Sequence, residues 1–507
     1  MASTFHIEHF GCRAARADGE AVCGRLRAAG LSERKPSAAD VVVVNTCSVT
    51  AEADRAARAY IRRAHRLNPE ARIVVTGCLA QRAPEDLAGM EGVAAVVGNS
   101  HMALAAEIIL GLADSALVAS PAPVSPALVS VESLIGGGVR APIWADERFA
   151  HSFPEGEQIA PGAQTRPNLK IQEGCGNQCT FCVIPQTRGS SRSLPATAVL
   201  RQVEGFVAAG GKELVLSGIN LGRWGRDLSD TPQGAAARDL WLPTYAAEAS
   251  RMDGALDFMA HPTLAGLVRQ IFARTALPRL RLSSIEPMDW DAGLIGLMAE
   301  FGGGRLARHA HMPLQSGSDG VLRRMHRRYR PWHYAEKVAA LERAAGPELT
   351  LGADVMVGFP GETAGEFEET MELVRALPFG YLHLFPFSPR PGTPGWVLHA
   401  EHPVPAEAVE ERMAALRALA AEKSKAHRMR FVGRELEAIT LRTPAEMAAR
   451  ARTAALAENF LPVEVDGRLP ANRLVRLRVK GLNAEGTLEA EAERAELVQQ
   501  EVGARSA

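Results

Sequence analysis

Long hydrophobic runs are missing from this 507-residue sequence: no uninterrupted apolar stretch is long enough to span a bilayer, which excludes a transmembrane helix and any membrane partner that needs one. No signal-peptide pattern opens it either, because Arg13, Arg16, Asp18 and Glu20 interrupt any apolar run near the start. Excess charge is also missing, since 57 Lys and Arg stand against 58 Asp and Glu for a formal net charge of −1. A generally basic nucleic-acid binder is thereby excluded, and any RNA must be held by local patches. Cysteine is scarce, with seven residues. An odd number without framework spacing argues against disulfides, so a reducing cytoplasm fits best. The rest of the composition, 47% hydrophobic and 23% charged, is that of a soluble globular protein with room for two to four domains.

Three of the few cysteines lie together in LKIQEGCGNQCTFCVIPQTRG, residues 169–189. Leu169 and Ile171 alternate with Lys170 and Gln172, which predicts the end of a half-buried strand, and Gly174 opens a loop carrying Cys175, Cys179 and Cys182. Soft thiolates at C-x3-C-x2-C spacing suit three corners of an iron–sulfur cube, leaving the fourth iron without a protein ligand. Structural zinc is the competing reading, but it normally takes four protein ligands in CxxC-type pairs.

Three further cysteines each end an apolar run: Phe5–Gly11 before Cys12, Val41–Thr46 before Cys47 and Arg72–Gly77 before Cys78. VVVVNTC reads as a strand buried on both faces. Ala/Arg-rich stretches with helical spacing, such as Ala51–Leu67, lie between the runs, so a βαβα order and a parallel sheet are expected. Loops at the carboxyl ends of parallel strands gather along one edge. Cys12, Cys47 and Cys78 should therefore converge although they are 35 and then 31 residues apart, as a second metal centre or as three core thiols. Cys23, in AVCGRL with no strand before it, reads as a packed side chain.

The C-x3-C-x2-C loop resembles the cluster motif of the radical S-adenosylmethionine enzymes, with Phe181 as the usual aromatic. Gly11-Cys12, VVVVNTCSVT at 41–50 and VVTGCLAQ at 74–81 resemble the N-terminal domain of the methylthiotransferases within that group, where three such cysteines hold an auxiliary 4Fe–4S cluster. The loop after Cys12, RAARADGE, departs from that family's pattern.

Residues 113–165, rich in Ala, Pro, Gly and Ser, read as a connector. Beyond the cluster loop, recurring strand–helix units predict a partial (β/α) barrel with its reactive groups at strand carboxyl ends. Its expected strands are Lys212–Gly218, Arg279–Ile285, His309–Leu314, Leu351–Val357 and Tyr381–Phe387. A stretch from 222 to 262 reads as an insertion. The resemblance implies that Gly210, Gly211 and Glu213 approach the methionine part of the cofactor. Ser283, Glu286 and Gln315 are candidates for its ribose or carboxylate, and Asp354 reads equally as a barrel support. The run LRRMHRRYR, 322–330, reads as a solvated helical face that can touch phosphates. From residue 433 short alternating strands predict an all-β module resembling the TRAM domain, with Lys423, Lys425, Arg428, Arg430 and Arg434 near its entrance for RNA phosphates.

The expected architecture is thus α/β. It comprises an N-terminal parallel α/β domain over 1–112, the connector, a radical S-adenosylmethionine core over 166–432 and a TRAM-like module over 433–507. The resemblance implies two 4Fe–4S clusters, on Cys175, Cys179 and Cys182 and on Cys12, Cys47 and Cys78, together with S-adenosyl-L-methionine. Its implied partners are tRNA, a small-molecule sulfur donor and an electron donor such as flavodoxin or ferredoxin. NTCSVT, QEGCGNQCTFCVIP and RMHRRY resemble the branch that methylthiolates carbon 2 of N6-threonylcarbamoyladenosine in tRNA. Sibling branches acting on isopentenyl-adenosine or a ribosomal-protein aspartate, and a redox-sensing RNA-binding protein, are the alternatives.

Overall fold

The computed structural model describes residues 4–113, 140–149, 165–228 and 262–493. Most of the expected connector and most of the expected insertion lie outside the described residues. The chain forms two compact units. One comprises the described residues within Met1–Glu157, Gln172–Arg192 and Ser388–Thr393, and the other those within Gln158–Ile171, Ser193–Phe387 and Pro394–Ala507.

The first unit is built on a six-stranded sheet of order β2-β1-β3-β4-β5-β6. Its strands are β1 Thr4–His9, β2 Ser32–Glu33, β3 Val41–Thr46, β4 Arg72–Gly77, β5 Val93–Gly98 and β6 Ile143–Trp144, and all the pairings are parallel. Every residue of β3 is buried. Val41 and Val43 pack with Phe5, Ile7 and Leu26, while Val42 and Val44 pack with Tyr60, Ile61 and Ile73 on the other face. Burial of each valine contributes about 1.5–3 kcal/mol, so this strand fixes the register of its neighbours. The helix Ala51–Leu67 starts where Thr50 accepts from the Ala53 amide at 3.2 Å, with Glu52 and Asp54 in its first turn. Its buried Ala57, Tyr60, Ile61 and Ala64 follow helical spacing. Cys23 lies in the apolar cluster with Val22 and Leu26, as a packed side chain. Within the sequence stretch read as a connector, β6 extends this sheet instead.

The remaining strands form a partial barrel and a closed one. β7 Asn168–Glu173, β8 Arg192–Ser193, β9 Glu213–Gly218 and β10 Arg279–Leu282 form a sheet of order β10-β9-β7-β8. β11 His309–His311, β12 Thr350–Val357 and β13 Phe379–Pro386 form a parallel sheet, and a Ser284–His311 bridge joins it to the end of β10. Helices such as Ala196–Ala208, Leu264–Arg274 and Ala364–Ala376 alternate with these strands. β14 Glu435–Thr440, β15 Arg452–Ala457, β16 Pro462–Asp466, β17 Leu474–Leu482 and β18 Leu488–Ala492 close into a small barrel of order β14-β15-β16-β18-β17. Leu436, Val463, Val465, Leu477 and Leu488 fill its interior. Among the described residues no helix is long and apolar enough to cross a membrane.

Candidate active site

β1, β3 and β4 are adjacent and parallel, and each delivers a cysteine beyond its carboxyl end. Cys12 precedes the helix Arg13–Ala28 and is exposed, while Cys47 follows β3 and Cys78 follows β4, both buried. Backbone conformation makes room for them. Gly11 has φ +123°, and a Cβ there would lie 2.6 Å from the Cys47 Cβ and 2.9 Å from its Sγ. The thiols sense one another: burial first, then Cys78 and Cys12, push the Cys47 thiol up to about 12. Burial also pushes the Cys78 thiol up, opposed by Arg188 and by a hydrogen bond from Asn99.

Donors face these sulfurs. The Val49 amide reaches Cys47 Sγ at 3.5 Å and Asn99 Nδ2 reaches Cys78 Sγ at 3.3 Å. Asn99 Nδ2 also donates to the Thr187 carbonyl at 2.9 Å. Arg188, 1% exposed, donates to both Glu173 oxygens at 2.8 and 2.9 Å and to Asp18 at 3.1 Å. A guanidinium and amide donors directed at sulfur favour thiolates, the form that ligates iron, so this donor set fits an iron–sulfur group. Among the described residues, the group of three or more His, Cys, Asp or Glu donors lying within 4.8 Å of one another is His311, Asp354 and His383. The cysteines are spread more widely than the thiolates of one tetrahedral ion, which stand about 3.8 Å apart at a metal–sulfur distance of about 2.3 Å.

The second triad is shaped by its loop. Gly174 has φ +68°, and a Cβ there would sit 1.9 Å from the Ser190 carbonyl oxygen. The Cys175 amide donates to the Gly189 carbonyl at 3.0 Å and the Cys182 amide to the Cys179 carbonyl at 3.1 Å. The Asn177 amide points at Cys175 Sγ at 3.4 Å and the Ile184 amide at Cys182 Sγ at 3.5 Å. All three thiols are partly accessible, and Phe181 between them is half-buried. All six cysteines of the two triads belong to the first unit.

The barrel residues divide into two groups. Ser283 follows β10 and Gln315 follows β11; Ser283 Oγ and Gln315 Oε1 are buried with no hydrogen-bond partner among the described residues. Ser217 Oγ near the carboxyl end of β9 is a third such atom, missed by the sequence reading although the strand-end rule points to it. Gln315 has φ +61°, held by its amide on the Asp354 carbonyl at 2.7 Å, a conformation costly for a side chain of this kind. Buried polar atoms without partners on neighbouring strand ends are a cradle for a polar ligand, so these residues fit S-adenosylmethionine. Glu286, itself half-buried, forms an ion pair with the buried Arg327. This corrects the reading of 322–330 as one solvated face: the helix ends at Arg324, and Arg327 turns inward, 6% exposed.

Gly210, Gly211 and Glu213 occupy the other end of β9. Gly210 and Gly211 follow the helix Ala196–Ala208, and a Cβ on Gly211 would lie 2.2 Å from the Phe206 ring. Glu213 opens β9, fully buried, with Arg281 at 3.1 Å, Arg166 at 3.4 Å and Arg279 at 3.8 Å. Burial pushes its carboxyl up, but Arg281, Arg166 and Arg279 outweigh that and hold it below the usual range. These three residues terminate a helix and anchor a strand, rather than lining the strand carboxyl ends. The C-terminal cations are likewise engaged. Lys423 donates to the Arg375 carbonyl at 2.8 Å, Arg428 to Gly486 at 2.6 Å and Arg430 to Pro347 at 2.6 Å, while Arg434 stands 3.6 Å from Glu348. Lys425 and Arg428 line an open cleft of about 570 Å³ with Asn483 and Gly486.

The sequence matches two family descriptions, "Uncharacterized protein family UPF0004" over residues 4–98 and "Radical SAM superfamily" over residues 169–374. It is 33% identical over 438 residues to the threonylcarbamoyladenosine tRNA methylthiotransferase MtaB of Bacillus subtilis, covering 86% of this chain and 84% of that one. Identity to the protein of the same name from Rickettsia prowazekii is 30% over 478 residues, 94% of each. A tRNA-2-methylthio-N(6)-dimethylallyladenosine synthase of Erythrobacter litoralis is 32% identical, covering 87% of each chain.

Proposed function

Since this chain belongs to the radical S-adenosylmethionine methylthiotransferase family, we propose that it adds a methylthio group to carbon 2 of N6-threonylcarbamoyladenosine in tRNA. The observation that carries this reading is the presence, in one compact unit, of three cysteines at the ends of adjacent parallel strands and of the C-x3-C-x2-C loop.

Cys175, Cys179 and Cys182 would hold one 4Fe–4S cluster and Cys12, Cys47 and Cys78 a second. When bound, the clusters and S-adenosylmethionine supply the one-electron chemistry and the sulfur and methyl groups that an unactivated aromatic C–H bond requires. The chain's own contribution is placement and charge. Asn99 and the Val49 amide donate to Cys78 and Cys47, and Arg188 sets positive charge beside them, which offsets part of the burial that pushes both thiols up. The Asn177 and Ile184 amides likewise donate to Cys175 and Cys182. Ser217, Ser283 and Gln315 bring buried, unmatched polar atoms to successive strand ends, where they would hold the cofactor and exclude water from its polar groups. A small-molecule sulfur donor and an electron donor such as flavodoxin or ferredoxin complete the reaction.

The choice of nucleoside rests on the two relatives named for threonylcarbamoyladenosine, against a dimethylallyladenosine relative at nearly equal identity. Nucleoside mass spectrometry of tRNA from a strain lacking this gene separates them. The proposal expects loss of the methylthio form of N6-threonylcarbamoyladenosine; loss of the methylthio-dimethylallyl form alone would replace it with the sibling reading.

A further inference from the structure

In the second unit, three strands bring His311, Asp354 and His383 onto one face of β11-β12-β13. His311 Nε2 lies 3.1 Å from Asp354 Oδ2 and His383 Nδ1 lies 3.2 Å from Asp354 Oδ1. All three donor atoms fall within 4.8 Å of one another. Asp354 stands directly opposite His383 in the register, and Gly352 stands opposite His311 and opposite Tyr381. A Cβ at Gly352 would sit 2.1 Å from the Tyr381 ring, so the missing side chain is what lets the Tyr381 hydroxyl reach His311 Nδ1 at 3.0 Å and His309 Nε2 at 2.8 Å.

That arrangement matches a metal site at two levels. Imidazole and carboxylate donors at about 2.1 Å from one ion stand about 3.0–3.4 Å apart, and each histidine here stands at such a distance from one of the two Asp354 oxygens. The far nitrogen of a ligating histidine is ordinarily held by a hydrogen bond that fixes ring orientation, and Tyr381 provides that on His311. The donors come from strands rather than loops, so their spacing is built into the sheet. Exposure is graded: His311 is nearly covered, at 10% side-chain exposure, whereas His383 is 63% exposed and leaves one side open.

We infer that His311, Asp354 and His383 form a mononuclear site for a divalent first-row transition ion, with positions left open on the His383 side. Two imidazoles and one carboxylate suit Fe2+, Zn2+ and Mn2+ better than Mg2+ or Ca2+. The site does not depend on which nucleoside the enzyme modifies.

Zinc is the practical probe, because iron is already present in the clusters. Protein with its clusters assembled anaerobically is given a small molar excess of Zn2+, desalted, and analysed for zinc and iron together. The expected result is one extra zinc per chain in the wild type with iron unchanged, and loss of at least four-fifths of that zinc in Asp354→Asn and in His383→Gln. His383→Gln alters a largely exposed side chain, so it keeps the test valid if Asp354→Asn does not fold. Zinc at background in the wild type, or retained equally by both variants, overturns the proposal and leaves the three groups bridged by imidazole protons alone.

Discussion

Arg188, six residues after Cys182, donates to Asp18, six residues after Cys12, across 3.1 Å in a fully buried ion pair. The same guanidinium holds Glu173 and acts on Cys78, so one side chain links the two cysteine-bearing segments of the first unit. Removing it strands two buried carboxylates. Arg188→Ala should lower stability by about 3–5 kcal/mol, the usual result of breaking a buried pair from one side. Thermal melting checks this. A variant melting within a degree or two of the wild type would show that the pair is not structural.

Gly174→Ala tests the loop. Its positive φ and the 1.9 Å approach to the Ser190 carbonyl leave no place for a methyl group. The variant should lose half of its iron and sulfide while retaining all its cysteines. Full iron content would mean that the backbone moves cheaply there.

The two triads should fail separately. Cys179→Ala should form no 5′-deoxyadenosine yet keep the iron bound by Cys12, Cys47 and Cys78. Cys47→Ala should still cleave the cofactor and transfer no methylthio group. Anaerobic chromatography of the nucleosides, with iron analysis, reads both; loss of all iron in Cys179→Ala would contradict two independent centres.

His427 gives the second unit a pH dependence. Its Nε2 lies 2.9 Å from Thr350 Oγ1, and burial first, then Arg430 and Arg428, lower it from 6.5 to about 4. As pH falls below 6.5 the unfolded chain takes the proton before the folded one does. Stability from the neutral ring is therefore full above that value and drains as pH drops toward 4. His427→Gln keeps a polar partner without titrating, so the stability gap between the proteins should shift by about 2 kcal/mol from pH 7 to pH 5. Parallel denaturation curves across that range would refute this assignment.

Much of this architecture was legible because strong local patterns agreed with the topology. VVVVNTC could only be a strand covered on both faces, and apolar runs ending in Cys12, Cys47 and Cys78 follow from parallel order. The β/α alternation gave the barrel, and short alternating strands gave the closed one. What local pattern could not show was long-range pairing of polar residues. Asp18 lies in the helix Arg13–Ala28 and Arg188 ends a short helix far along the chain, and neither pattern points to the other, so the grouping of Gln172–Arg192 with the first unit was invisible. Arg390 pairs with Asp54 at 2.9 Å and brings Ser388–Thr393 into the same unit. Gly210-Gly211 stands between the helix Ala196–Ala208 and the start of β9, a placement local pattern could not give because a glycine pair ending a helix resembles one approaching a ligand. Arg327 looked like one more surface cation until the turn after Arg324 aimed it at Glu286.

The central claim is best tested by incubating cluster-loaded protein anaerobically with tRNA carrying N6-threonylcarbamoyladenosine, S-adenosylmethionine, a sulfur donor and a reductant, then digesting the tRNA for mass spectrometry. The account predicts 2-methylthio-N6-threonylcarbamoyladenosine together with 5′-deoxyadenosine. Formation of 5′-deoxyadenosine with the nucleoside left unchanged, while dimethylallyladenosine tRNA is methylthiolated under the same conditions, would contradict it.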